Sequence, residues 1–119
     1  MPATVLIVDD DERFRSLAAR LLAAHGLAVA GEASDAQQGL AAAHRLRPDA
    51  VLVDVGLPDG DGLALAVELA GLPWSPRVVV ISSNPDNALA ARSGPDGNRL
   101  PFLAKEDLPG APLRDLLAG

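Results

Sequence analysis

The strongest constraint on this chain is a series of short apolar runs, each ending on a residue with reactive chemistry. VLIV runs into Asp9 and Asp10, AVLV into Asp54, RVVVI into Ser82, and PFLA into Lys105. The runs are continuous rather than alternating, and a strand that is apolar at every position must be covered on both faces. Stretches of helical period stand between them. Phe14, Leu17, Ala18, Leu21 and Leu22 recur at helical spacing, and Gly26 stops that helix just after His25, whose place at the helix end suits the helix dipole. Ala28 to Ala30 is a weaker strand. Ser34 is predicted to cap a second helix, with Gln37 at the capping-box position and Ala36, Leu40 and Ala43 facing inward; Pro48 ends it.

Ala50 to Asp54 reads as the third strand. The turn GLPDGDG follows, then a helix from about Leu63 to Leu69 closed by Gly71 and Pro73, and a fourth strand over Arg77 to Ser82. Residues Asn84 to Arg92 fit a short helix, Ser93 to Asn98 a glycine- and proline-rich loop, Leu100 to Ala104 a fifth strand, and Ala111 to Ala118 a short last helix. Five β-α units in series predict an α/β fold: a five-stranded parallel sheet with helices on both faces, joined by right-handed crossovers.

At 119 residues the whole chain, 1–119, is expected to be one domain. With only two Phe, one Trp and no Tyr, its core must be aliphatic. The absence of Cys excludes disulfides and thiolate metal sites and fits a reducing, cytoplasmic setting. Met1 leads straight into a strand without a basic, apolar leader, and no apolar stretch approaches the roughly 20 residues that cross a bilayer. A net charge of −6 argues against direct nucleic-acid or anionic-membrane binding.

In an open parallel sheet the carboxyl ends of the strands share one edge, where ligands bind. That edge gathers Asp9, Asp10 and Asp54 with Ser82 and Lys105. Clustered carboxylates repel one another unless a cation or protons neutralise them, and an oxygen-only ligand set favours Mg²⁺ or a similar hard ion. Asp11 and Glu12 are adequately explained as acids at a helix start. Asp54, in a separate strand, is not. Ser82 and Lys105 beside such a cluster suit the oxygens of a phosphoryl group, one by hydrogen bond and one by charge.

Other phosphate and metal motifs fail on the residues. There is no GxxxxGK[ST]. The glycines at Gly60 and Gly62 lack the third glycine of a dinucleotide loop, Leu65 standing there, and a calcium loop would begin on Leu57, which cannot coordinate. The acidic DDDE after the first strand would repel a flavin phosphate. His25 and His44 lack a paired ligand spacing.

The ordered set of Asp9-Asp10 after VLIV, Asp54 followed by VGLPDGDGL, Ser82 after VVVI, and Lys105 in PFLAK resembles the receiver domain of bacterial two-component response regulators over essentially the whole chain. The resemblance implies a flavodoxin-like, doubly wound fold and phosphorylation of one aspartate by a partner sensor histidine kinase or phosphotransfer protein. By position it implies that Asp54 is the phospho-acceptor. Asp10, Asp54 and the Gly56 carbonyl would then hold Mg²⁺, with Asp9 acting through water. Lys105 would neutralise the transferred group, Ser82 would be the switch hydroxyl and Phe102 the switch aromatic. It further implies a signalling face built from the 84–92 helix, the fifth strand and the last helix, through which a homodimer could form.

The phrase PFLAKEDL resembles receivers of helix-turn-helix regulators, so the chain is expected to act alone or as the N-terminal part of a DNA-binding regulator. Departures from the pattern are Glu106 where proline usually follows the lysine, Pro101 in the fifth strand, and shortened late helices; Gly56 and Asn84 occupy variable positions. Two alternatives are a Mg²⁺-dependent aspartyl phosphatase and a receiver-like interaction domain that works without phosphorylation. Many such phosphatases carry a second Asp two positions past the nucleophile, where this chain has Gly56.

Overall fold

Val5, Leu6, Ile7 and Val8 are all completely buried, which a strand achieves only with packing on both faces. The computed structural model describes residues 2–83 and 100–118. In chain order these form β1 (Thr4–Val8), α1 (Glu12–Ala24), β2 (Ala28–Ala33), α2 (Ala36–Leu46), β3 (Ala50–Asp54), α3 (Gly62–Ala70), β4 (Arg77–Ser82), β5 (Phe102–Ala104), a 3₁₀ segment (Lys105–Gly110) and α4 (Leu113–Leu117). The strands make one parallel sheet in the order β2-β1-β3-β4-β5.

Successive strand residues point to opposite faces, and the core divides accordingly. Leu6, Val8, Val51, Val53, Val78 and Val80 pack with Ala43 of α2 and Leu65, Ala66 and Leu69 of α3. Val5, Ile7, Leu52, Val79 and Ile81 pack with Phe14, Ala18 and Leu22 of α1 and Leu113 and Leu117 of α4. Each buried Leu contributes about 1.5–3 kcal/mol of burial free energy. Small residues let α2 approach closely: a Cβ on Gly39 would meet Val8 Cγ1 at 2.9 Å.

Four predicted boundaries move. α2 is capped by Asp35, whose side chain accepts from the Gln38 N–H at 2.7 Å, so the cap lies one residue beyond Ser34. Ser34 instead donates through its hydroxyl to Gln38 Oε1, not to Gln37. β2 runs on to Ala33 rather than stopping at Ala30, because its partly exposed residues still pair with β1 through a register shift at Val5/Leu6. β5 begins at Phe102 rather than Leu100. Pro101 lacks an N–H, although its carbonyl still accepts from Val80 N at 2.8 Å. The last helix is confined to Leu113–Leu117, since Lys105–Gly110 forms the 3₁₀ segment and Pro112 stands at the helix start. His25 closes α1, its Nδ1 lying 2.8 Å from the Leu21 carbonyl. The predicted helix over 84–92, with Asn84, and the loop over 93–98 lie outside the described residues. Among the described residues no helix is long and apolar enough to cross a membrane.

Candidate functional site

The strand order reverses between β1 and β3, and the acidic residues end these two neighbouring strands. Such a reversal leaves a crevice at the carboxyl edge, because the loops leaving adjacent strands diverge to opposite faces. Asp9 follows β1 and is wholly buried. Its amide donates to the Ala33 carbonyl at 2.9 Å, its carbonyl accepts from Arg15 Nη1 at 2.6 Å, and its Oδ1 accepts from the Asp11 amide at 2.8 Å. Arg15 is itself held by Glu32 of β2 at 3.0 Å. Asp11 caps α1, accepting from Arg13 N and Phe14 N, and this turn leaves Asp10 exposed.

Asp54 ends β3 and is buried. The start of α3 presses against its backbone: a Cβ on Gly62 would lie 2.0 Å from the Asp54 carbonyl oxygen. The Gly62 amide donates to the Val55 carbonyl at 3.1 Å, so the turn from Asp54 into α3 closes tightly. Only glycine fits there. Asp59, in the same turn, accepts from the Ala36 and Gln37 amides at 2.7 and 3.1 Å and ties the turn to the first turn of α2. Those two amides hold the Asp59 carboxyl below its ordinary pKa.

Lys105 enters from the end of β5. Its Nζ lies 2.7 Å from Asp9 Oδ2 and 3.6 Å from Asp54 Oδ2, and 4.6 Å above the centre of the Phe14 ring. The Asp9 contact is an ion pair by distance rather than a directed hydrogen bond, because the Oδ2 atom has no aligned donor. At this separation the charge attraction decides the matter. Burial works against the Lys105 charge, but Asp9 and Asp54 outweigh it and raise its pKa. Ser82 is buried at the end of β4, opposite Ala104 in the ladder. Phe102 pairs with Val80 and packs, half-buried, against the α3-side core. Glu106 is exposed on the 3₁₀ segment.

Asp10, Asp54, Gly56, Ser82 and Lys105 line a cavity of about 480 Å³. Burial first, then the neighbouring Asp9 charge, raises the Asp54 pKa; Lys105 and the Gly56 N–H oppose them without prevailing. One carboxylate oxygen from each of Asp9, Asp10 and Asp54 falls within a 4.8 Å cluster. Three ionised carboxylates against one ammonium leave two negative charges over, which a hard divalent cation matches in charge and in ligand type. The donor set therefore fits Mg²⁺.

The structure thus gathers Asp9, Asp10, Asp54, Gly56, Ser82 and Lys105, and leaves Phe102 on the adjoining core. Sequence reasoning passed over Arg15, Phe14, Asp59 and Gly62. The paired glycines of GDG carried a signal for the last. The other three depend on contacts with residues distant in the chain.

The model of the response regulator receiver domain family matches residues 5–106. This chain belongs to that family. Among curated relatives, the nitrate/nitrite response regulator protein NarL of Escherichia coli (strain K12) is 38% identical over 111 residues, covering 90% of this chain and 51% of NarL. The transcriptional regulatory protein PdtaR of Mycobacterium tuberculosis (strain H37Rv) is 32% identical over 105 residues, covering 88% of this chain and 50% of PdtaR. The receiver thus spans about half the length of these two relatives. The solved receiver domain of the putative response regulator NarL from Mycobacterium tuberculosis superposes with a TM-score of 0.78 at 26% identity, covering 97% of this chain and 96% of that one. A response regulator from Burkholderia pseudomallei, solved with a phosphorylated aspartic acid and a calcium ion, gives a TM-score of 0.79 at 26% identity, covering 98% of this receiver and 67% of that chain.

Proposed function

We propose that this receiver takes a phosphoryl group onto Asp54 from a phosphohistidine of a sensor kinase or phosphotransfer protein in the cytoplasm. The observation that carries the reading is the placement of Asp54, Lys105 and Ser82 around one cavity, with the Asp9–Asp10 pair beside them. A carboxylate oxygen of Asp54 attacks phosphorus, the new P–O bond forms as the P–N bond breaks, and the imidazole leaves with the electron pair. Lys105, already paired with both Asp9 and Asp54, balances charge on the transferred oxygens, and the Ser82 hydroxyl donates to one of them. Asp10, Asp54 and the Gly56 carbonyl would hold Mg²⁺, with Asp9 contributing through water. When bound, the ion supplies charge neutralisation for the phosphoryl oxygens.

Ser82 ends β4 and Lys105 directly follows β5, the strand that carries Phe102, so phosphorylation would draw on the packing around Phe102 and bias two existing conformations there. The surface around Phe102 is the proposed one for self-association or for a partner. The chain takes part in its own phosphorylation rather than turning over a separate substrate. The phosphatase reading is set aside, since Gly56 offers no acid-base group. Incubation with acetyl phosphate and Mg²⁺ followed by intact-mass analysis tests the proposal. One added phosphoryl group, absent in Asp54→Asn, is the expected result.

A further inference from the structure

A second cavity, of about 440 Å³, opens at the opposite end of the sheet, where the strands begin. Arg47 at the end of α2, Asp49 ahead of β3, Trp74 and Ser75 ahead of β4, and Arg77 at the start of β4 line it. We propose that this cavity binds a small phosphate-bearing anion through the guanidinium groups of Arg47 and Arg77, beside the Trp74 indole.

Three independent observations converge on it. The first is backbone strain. Among the described residues, the two non-glycine residues with left-handed backbone are Arg47 (φ 46°) and Ser75 (φ 49°), and both line this cavity. Glycine would take either conformation without strain, and αL residues that close helices, as Arg47 does, are usually glycine. Strain of this kind persists where the surrounding structure over-determines it, and it clusters at ligand sites.

The second observation is charge. The chain carries a net −6, yet among the described residues Arg47 and Arg77 have no carboxylate within ion-pair distance; the ion pairs involve Arg15 and Lys105. Asp49, which shares the cavity wall, is engaged elsewhere: its Oδ2 accepts from Thr4 N at 2.8 Å and from Thr4 Oγ1 at 3.3 Å. The cavity wall thus carries two guanidinium groups against the one Asp49 carboxylate, a net positive charge on a negative chain.

The third is preorganisation. The Trp74 indole is fixed by its N–H donating to the Pro48 carbonyl at 3.0 Å, with His44 against it edge-on. The Arg47 Cζ lies 5.0 Å above that ring. Stacking uses the face of a guanidinium and leaves its in-plane N–H donors for an oxyanion, whose geometry the planar fork matches. The volume falls within the range of small-molecule sites.

Trp74 is the single tryptophan of the chain, so its fluorescence reports on this cavity. The full chain, in Mg²⁺-free buffer at constant ionic strength, is titrated with inorganic phosphate, adenosine monophosphate and, as a carboxylate control, citrate; the amide NMR signal of Ser75 is followed in parallel. A saturable response to either phosphate probe is expected, unchanged in Asp54→Asn. Arg77→Ala and Arg47→Gly should each weaken it about tenfold or more, the scale of a lost charged hydrogen bond. Arg47→Gly should keep the wild-type melting temperature within about 3 °C, because glycine suits that backbone. No saturation by about 10 mM phosphate probe, a typical weak-binding limit, would overturn the proposal. So would binding by citrate alone, or wild-type affinity in both arginine variants.

Discussion

At the carboxyl end of the sheet Asp9 is wholly buried, and its amide, its carbonyl and both carboxylate oxygens are engaged within the fold. At the amino end Arg47 and Arg77 are exposed, and the Arg47 guanidinium, which has no carboxylate partner among the described residues, lies over the face of an indole. The difference follows from desolvation. A buried charge must find its counter-charge and hydrogen bonds inside the fold, because leaving one unpaired costs several kcal/mol. An exposed guanidinium keeps its water and can stay unpaired until a ligand comes. The carboxyl end is therefore sensitive to almost any change in its supports, whereas the amino end should tolerate change with little effect on stability.

The largest expected effect is at the carboxyl end. Asp54→Asn should abolish phosphoryl incorporation from acetyl phosphate, measured by intact mass, while far-UV circular dichroism stays that of the wild type. Incorporation at the wild-type rate would remove Asp54 from the centre of the site. Next is Gly62→Ala. The added methyl meets the Asp54 carbonyl at 2.0 Å, a clash with backbone that no rotamer relieves, so the cost should be about 3 kcal/mol or more in urea unfolding. A loss below 1 kcal/mol, the usual size for a surface change, would show that the turn can open. Asp10→Ala should then lower Mg²⁺ affinity at least tenfold by calorimetry, the effect of deleting one charged ligand, and leave metal-free stability nearly unchanged.

The smallest effect is one of sign. Asp54 has a folded pKa above its unfolded value, raised first by burial and then by Asp9. Between those two values the folded state binds the extra proton, so its contribution to stability is present below the unfolded pKa and is lost as pH rises through the folded one. Without Mg²⁺ at neutral pH, Asp54→Asn should therefore stabilise the fold by roughly 0.5–2 kcal/mol, as expected when a strained site charge is removed. Repeating the melts at saturating Mg²⁺ should reverse the ranking, because the ion stabilises only the protein that binds it well. Equal melting temperatures for the two proteins in metal-free buffer would show that Lys105 already cancels the repulsion.

The sheet and most of the site were legible because both are written in local chemistry. Four of the five strands are continuous apolar runs, and the groups that meet at the carboxyl edge are the residues that end them. β2 was underestimated because AVAGEA is partly exposed and mixes polar and small residues, which weakens the periodic signal. The α2 cap was misplaced by one because Ser34 and Asp35 are both good caps, and the choice between them rests on Gln38. What the chain could not disclose was contact between distant segments. Phe14 beneath Lys105 and Arg15 against Glu32 look in sequence like ordinary members of an amphipathic helix. Arg47 and Trp74 are 27 positions apart and meet only once α2, β3 and α3 are folded.

The two hydrogen bonds that α2 amides donate to Asp59 have a practical consequence for anyone exchanging segments among receivers. The turn that follows Asp54 is not an independent module, because its Asp59 is the acceptor for the amides of Ala36 and Gln37. A chimera importing residues 55–61 from a donor without an acid at the equivalent of 59 would strip two acceptors from a helix that the graft never touched. The fault would surface as fraying at the start of α2. A swap designed around these two segments together, 34–38 with 55–61, keeps donor and acceptor in the same parent.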